Sequence, residues 1–375
     1  MKGTSHELAD RLTALTRDLM LIRSTERLPE ERARCFRFIE NHLEAVGNLR
    51  LRTYDCQGDT SLVALPENVE RPTILLNGHI DVVEHPGLDV YRGKVEHGRI
   101  VGPGAGDMKG AVAILLELFR EIQRLQPGAS VGLALTSDEE RGGENGMRHL
   151  FEDAGLRCGL AIIPDGGSLH DLTVAEKGIL HLRVKRHGHP GHAARPWLAD
   201  NALQGLIDAL NRLHDRFRGL VPPDAEDHWH PTATVTHLRT PNEAVNRIPG
   251  FAEACLDIRF PPPFRAAAIL ELVSGALGPS VEVETIVSAE PTELSPDPLF
   301  AEVTEEITGH PVRRVRASGG SDARFLCAHG IPVMLSRPLV GNLHAEDEWI
   351  DIASMVRYYE ICETYLIRKL GLAVP

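Results

Sequence analysis

The chain has 375 residues, enough for two domains with separate cores. Its formal net charge of −13 disfavours nucleic acid and anionic membranes as partners, since either would want a basic patch. The six cysteines (Cys35, Cys56, Cys158, Cys255, Cys327, Cys362) are widely spaced with no CxxC pair, which argues against a disulfide framework or a thiolate zinc site and predicts buried free thiols in a reducing cytosol.

Leu8, Leu12, Leu15, Leu19 and Ile22 fall at helical spacing among acids and arginines, the pattern of an amphipathic surface helix and not of a signal peptide. No apolar run approaches the ~20 residues of a membrane span, so the expected location is the cytoplasm. Residues 30–46 read as a second helix and 73–77 as a short apolar strand. Residues 108–125 are apolar almost all round, hence a buried helix, and QPG (126–128) stops it. VGLALTS (131–137) and GLAIIPD (159–165) read as buried strands with a helix between them. This succession predicts an α/β domain, a mostly parallel sheet flanked by helices.

After Gly178 the pattern changes. ILHLRVKRH (179–187) alternates apolar with polar residues, as a half-exposed strand does. There follow an amphipathic helix (200–218), a Pro-rich loop (221–231), strands near 233–239 and 251–259, a helix near 264–277 and a strand near 280–287. The order β-α-β-β-α-β predicts an inserted α+β, ferredoxin-like domain over 179–290, with a sheet edge free to pair with a second copy. The α/β pattern returns from about 291 and ends in an amphipathic helix (353–369). The first domain is thus expected to comprise 1–178 and 291–375.

Five residues that favour divalent metal sit where strands give way to loops: His79 (ILLNGHIDVV), Asp107 (GPGAGDMKGA), Glu140 (LTSDEER), Asp165 (AIIPDGG) and His344 (GNLHAEDEW). Ligands of open α/β sheets gather at the C-terminal ends of strands. Two histidines and three carboxylates are a mixed N/O donor set, too many for one catalytic ion with an open position, and two cations sharing a carboxylate fit better. Asp81, two residues from His79 on an extended segment, projects from the same face and can hold the second imidazole nitrogen. Glycines around Asp107 let backbone pass close to metal. Of the consecutive acids Glu139 and Glu140, one can ligate while the other faces a reacting water as general base. Each motif also has a plainer reading: a turn-capped histidine, a solvated acidic turn, a turn-forming aspartate before glycines, a surface histidine. Their conjunction carries the weight.

GHIDVV, GAGDMKGA, DEE, the stretch from EKG (176–178) to GHAARP, GGSDARF (319–325) and LHAEDEW together resemble, in order and over essentially the whole chain, the dinuclear zinc peptidases and deacylases typified by acetylornithine deacetylase, succinyl-diaminopimelate desuccinylase, aminoacylase and glutamate carboxypeptidase. The resemblance implies two divalent metal ions, zinc first, with cobalt or manganese as alternatives. It implies His79 and Asp165 at one metal, Glu140 and His344 at the other and Asp107 bridging, with a cis peptide after Asp107. Asp81 would orient His79, Glu139 would be the general base, and His192 of a partner subunit would stabilise the oxyanion. Arg259 and Asn246 would hold the carboxylate end of the substrate, and the inserted domain would act as lid and homodimer contact. The implied activity is amide hydrolysis in a small N-acylated amino acid. Asp165 stands where many deacylases of the family carry Glu, and keeps open a dipeptidase or aminopeptidase using the same centre. A binding or scaffold protein is a third, remote reading.

Overall fold

A computed structural model describes residues 5–223 and 228–373, so the expected Pro-rich loop lies partly outside the described residues. The chain divides into two compact units. The first comprises Met1–Val174, Glu293–Val315 and Ser321–Pro375, the second Ala175–Thr292 and Arg316–Gly320. The short return 316–320 therefore groups with the second unit, although the sequence pattern had assigned it to the first.

In chain order the main elements of the first unit are α1 (Ser5–Met20), α2 (Pro29–Leu43), β1 (Leu49–Cys56), β2 (Asp59–Pro66), β3 (Ile74–His79), α3 (Gly110–Leu125), β4 (Val131–Thr136), α4 (Met147–Glu152) and β5 (Leu160–Ile163). The second unit supplies β6 (Gly178–His187), α5 (Ala202–Arg218), β7 (Thr232–Arg239), β8 (Phe251–Phe260), α6 (Ala266–Leu277) and β9 (Val281–Ala289). The chain then returns to the first unit with α7 (Pro298–Thr308), α8 (Ala323–Ala328), β10 (Val333–Leu335) and α9 (Ile352–Leu370).

The first unit is built on a six-stranded sheet of order β1-β2-β4-β3-β5-β10. β4, β3, β5 and β10 run parallel, so their C-terminal ends share one edge. β1 and β2 form an antiparallel hairpin that extends this parallel core, with β2 antiparallel to β4. The hairpin is absent from the sequence reading, although its signal is local. Cys56 pairs with Asp59, leaving the two-residue loop Gln57-Gly58, both at positive φ (51° and 86°), the backbone of a tight primed turn. Helix α3 is buried from Gly110 through Phe119 because it lacks a polar face, and with Leu12, Leu19, Tyr358 and Tyr365 it forms the main core. The helix expected between the strands at 131 and 159 is short, α4 alone, because residues 137–146 are taken up by site-forming turns. Among the described residues, no helix is long and apolar enough to cross a membrane. All six cysteines are free; Cys35, Cys158 and Cys362 are buried and the other three half-buried.

The second unit is a four-stranded antiparallel sheet of order β7-β8-β6-β9 with α5 and α6 packed against it, the ferredoxin-like arrangement. The alternation in β6 decides the faces: Leu180, Leu182 and Val184 enter the core with Leu206, Leu213, Ile269 and Val273, while His181, Arg183 and Lys185 stay partly exposed. Asn201 caps α5, its side-chain oxygen accepting the amides of Leu203 and Gln204.

Candidate metal centre

Five chain segments bring the acids and histidines of the first unit together. His79 is the last residue of β3, fully buried, and its main-chain amide points at Met108 Sδ (3.4 Å). Its Nδ1 lies 3.1 Å from the main-chain oxygen of Asp81 and 3.4 Å from that residue's carboxylate. Asp81 therefore meets the imbalance at Nδ1 mainly through its backbone, while its Oδ2 accepts the amide of Glu140 at 3.0 Å. Asp107 lies on a turn between the loop and α3, and the Asp107–Met108 peptide is cis. Gly106 is required here, since a Cβ would come within 2.9 Å of Leu343 Cδ2 and 3.0 Å of Val340 Cβ. Buried Lys109 donates to the carbonyls of Leu19 and Ile22 and ties this turn to the end of α1.

Asp107 divides its carboxylate between two histidines: Oδ1 is 3.1 Å from His79 Nε2 and Oδ2 is 3.2 Å from His344 Nε2. Glu139 and Glu140 lie on a short 3-10 turn (Glu139–Arg141), not on a continuing strand, and the turn sends them to different sides. Ligand atoms of His79, Glu139 and Asp165 lie within 4.8 Å of one another, and so do those of Asp107, Glu140 and His344. Glu140 Oε2 is 3.3 Å from His344 Nε2, and Glu139 Oε2 is 4.0 Å from His79 Nε2.

The electrostatics are those of a place built for positive charge. Burial raises the Glu139 carboxyl well above the usual range, with Asp165 adding to it, and burial pushes Asp165 up to about 7 with help from Asp107. Burial also raises Glu140. Burial disfavours charge on His79, yet the Asp107 and Asp81 carboxylates outweigh it and lift its pKa well above the ordinary value. Hydrogen bonds to Asp107 and Glu140 take His344 up to about 10. Against its own burial, Asp107 is held well below the carboxylate range by His344 and His79. Glu140 Oε1 and Asp81 Oδ1 are buried with no hydrogen-bond partner. The orphaned Glu140 oxygen beside the His344 imidazole fits a divalent cation.

Glu348 and Arg337 also belong to this region, and the sequence reading gave neither a role. Glu348, 2% exposed, accepts the amides of Gly106 (2.7 Å) and Asp107 (2.9 Å) on Oε1 and that of His344 (3.3 Å) on Oε2. One carboxylate thus joins the Asp107 and His344 loops, 237 residues apart in sequence. Its only sequence signal was its place in an acidic run after His344. Arg337 Nη1 is 3.7 Å from Asp165 Oδ1.

His192, Asn246 and Arg259 belong to the second unit. His192 is exposed, opposite Arg247 in a short antiparallel pairing, and its Nδ1 accepts the amide of Ala194 at 3.1 Å. The main-chain oxygen of Asn246 accepts the amide of Ala193 at 2.9 Å. Arg259 grips Asp257 through Nε (2.7 Å) and Nη2 (3.0 Å).

A family model described as peptidase family M20/M25/M40 matches residues 75–368. The chain is similar to the succinyl-diaminopimelate desuccinylase of Parvibaculum lavamentivorans, 31% identical over 318 residues and covering 79% of each chain. It is also similar to that of Alkalilimnicola ehrlichii, 27% identical over 350 residues, 86% of this chain and 92% of that one. Among solved structures, human carnosine dipeptidase 1 shares the fold at a TM-score of 0.77 and 15% identity, with 98% of each chain covered. An M20 family metallo-carboxypeptidase from Sulfolobus solfataricus matches at 0.77 and 17%, covering 95% of this chain and 98% of that one.

Two outcomes follow from this geometry. Both histidines have pKa values raised above the ordinary imidazole range by the carboxylates they face, so cation binding must displace protons and affinity should rise with pH. Calorimetry in two buffers of different ionisation enthalpy should show net proton release on loading; heats that do not depend on the buffer would contradict it. Glu348→Gln leaves an amide NH2 facing a buried N–H donor, and metal affinity should fall about 10- to 100-fold. An unchanged isotherm would mean that the carboxylate does not hold the two loops.

Proposed function

The chain belongs to peptidase family M20/M25/M40 and is a metal-dependent amide hydrolase, and on that premise we propose that it cleaves the amide bond of small N-acylated amino acids. The observation that carries the reading is Asp107, one carboxylate facing His79 with one oxygen and His344 with the other. In this reading His79, Asp107 and Asp165 would hold one divalent cation and Asp107, Glu140 and His344 the other. The imidazole and carboxylate donors suit zinc, with cobalt and manganese as alternatives. When bound, such cations supply the charge that polarises a carbonyl and makes water acidic near neutral pH.

The remaining chemistry falls to side chains. Glu139 accepts a proton from the attacking water and passes it to the departing amine nitrogen; its desolvated position favours proton uptake. Asp81 keeps the His79 ring in place and anchors the Glu140 amide, so the two ligand turns move together. Following the motif resemblance, we assign His192 of a partner copy to the developing oxyanion, and Asn246 and Arg259 to the substrate's carboxylate end. These assignments imply a homodimer through the second unit. The free cysteines are in keeping with the cytoplasm.

Asp165 supports a second reading, cleavage of free dipeptides at the same centre. Equal concentrations of N-succinyl and N-acetyl amino acids and of free dipeptides, offered to zinc- and cobalt-loaded protein, separate the two: the first reading expects the acylated compounds to turn over faster. Glu139→Gln should keep both metals and lose about 10²- to 10⁴-fold in turnover. Near-wild-type rates would remove Glu139 from the role of base.

A further inference from the structure

Four parallel strands of the first unit end along one edge, and three of them deliver residues already placed in the centre. β3 ends on His79, β4 leads to Glu139 and Glu140, and β5 leads to Asp165. The fourth, β10, leads to Arg337. β10 pairs in parallel with β5 in the register Leu335↔Ile163, so Arg337 and Asp165 stand at equivalent places, each two residues past the paired position. The guanidinium Nη1 lies 3.7 Å from Asp165 Oδ1, and Nε is buried with no hydrogen-bond partner. The side chain is 17% exposed.

A guanidinium offers five donors in a rigid fork that matches a carboxylate. Among the described residues its ion-pair neighbour is Asp165, a proposed metal ligand held loosely at 3.7 Å, and Asp107 also feels its charge. Once Asp165 is engaged by a cation, its charge is shared and Arg337 is left beside additional positive charge in a desolvated place. Such a group calls for an anion that arrives with the substrate. We propose that Arg337 is a carboxylate anchor within the first unit, additional to Asn246 and Arg259, and a specificity-determining residue that favours substrates carrying a carboxylate near the scissile amide. The inference rests on the hydrolase reading above. Two parts of a substrate could supply the carboxylate, the acyl group or the amino acid.

The test compares N-succinyl-L-alanine amide, with a carboxylate on the acyl side only, N-acetyl-L-alanine, with one on the amino-acid side only, and N-acetyl-L-alanine amide, with none. Each is assayed on metal-loaded wild type, Arg337→Gln and Arg337→Lys, with bound metal counted by elemental analysis and binding of the same compounds followed by calorimetry. The anchor predicts that Arg337→Gln lowers kcat/KM and affinity for one carboxylate-bearing compound about 10- to 100-fold more than for the uncharged one. Lysine should regain part of the loss, metal content should hold, and the compound affected identifies the source. Equal losses on all three, or loss of metal, would show that Arg337 acts through Asp165 and would overturn the proposal, as would no change. If wild type cleaves none of them, the hydrolase reading fails while the calorimetry still decides the anchor: weaker binding of a carboxylate compound to Arg337→Gln supports it, and equal binding overturns it.

Discussion

Mutual repulsion among Asp107, Glu139, Glu140 and Asp165 is the constraint around which the first unit is arranged. Two like charges 4 Å apart at an effective dielectric constant near 20 repel by about 4 kcal/mol, a large fraction of the stability of a typical domain. A fold that gathers several in one desolvated place must offset that cost. The offset comes from the imidazoles of His79 and His344, whose pKa values these acids raise, from raised carboxyl pKa values, and from Arg337 beside Asp165. Divalent cations do the same with more charge in less space, which is why the histidines face the acids.

The rest of the first unit keeps these groups in place. Parallel strands bring His79, Glu139, Glu140 and Asp165 to one edge, and the buried α3 fixes the turn that carries Asp107. Several polar contacts behind the site span long stretches of chain. Lys109 fastens the turn to the end of α1, Asp81 joins β3 to the Glu140 turn, and Glu348 joins the Asp107 and His344 loops. Behind Glu139, Asp322 accepts from Thr136 at 3.3 Å and is pushed up to about 8 by burial, with Asp138 adding to it.

The parts of this arrangement that were legible in the sequence are local. His79, Asp107, Glu140, Asp165 and His344 each announce themselves by residue type at a strand end or glycine turn. The alternation in β6 and the order of elements after it foretold the ferredoxin-like unit. The β1–β2 hairpin was readable from its Gln-Gly turn and from the apolar–charged alternation of LRLR. Glu139 and Glu140 separate through a 3-10 turn, which strand reasoning could not supply. Arg337 and Glu348 were invisible for a different reason. Their roles come from the pairing of β10 with β5 and from an approach between loops more than 200 residues apart, and neither is written in any short stretch of residues.

Anomalous X-ray scattering at the absorption edge of an added cation, recorded on crystals of the loaded protein, tests the central claim most directly. The account predicts two peaks per chain, both bonded to Asp107, one shared with His79 and the other with His344. A single peak, or none among these residues, would contradict it.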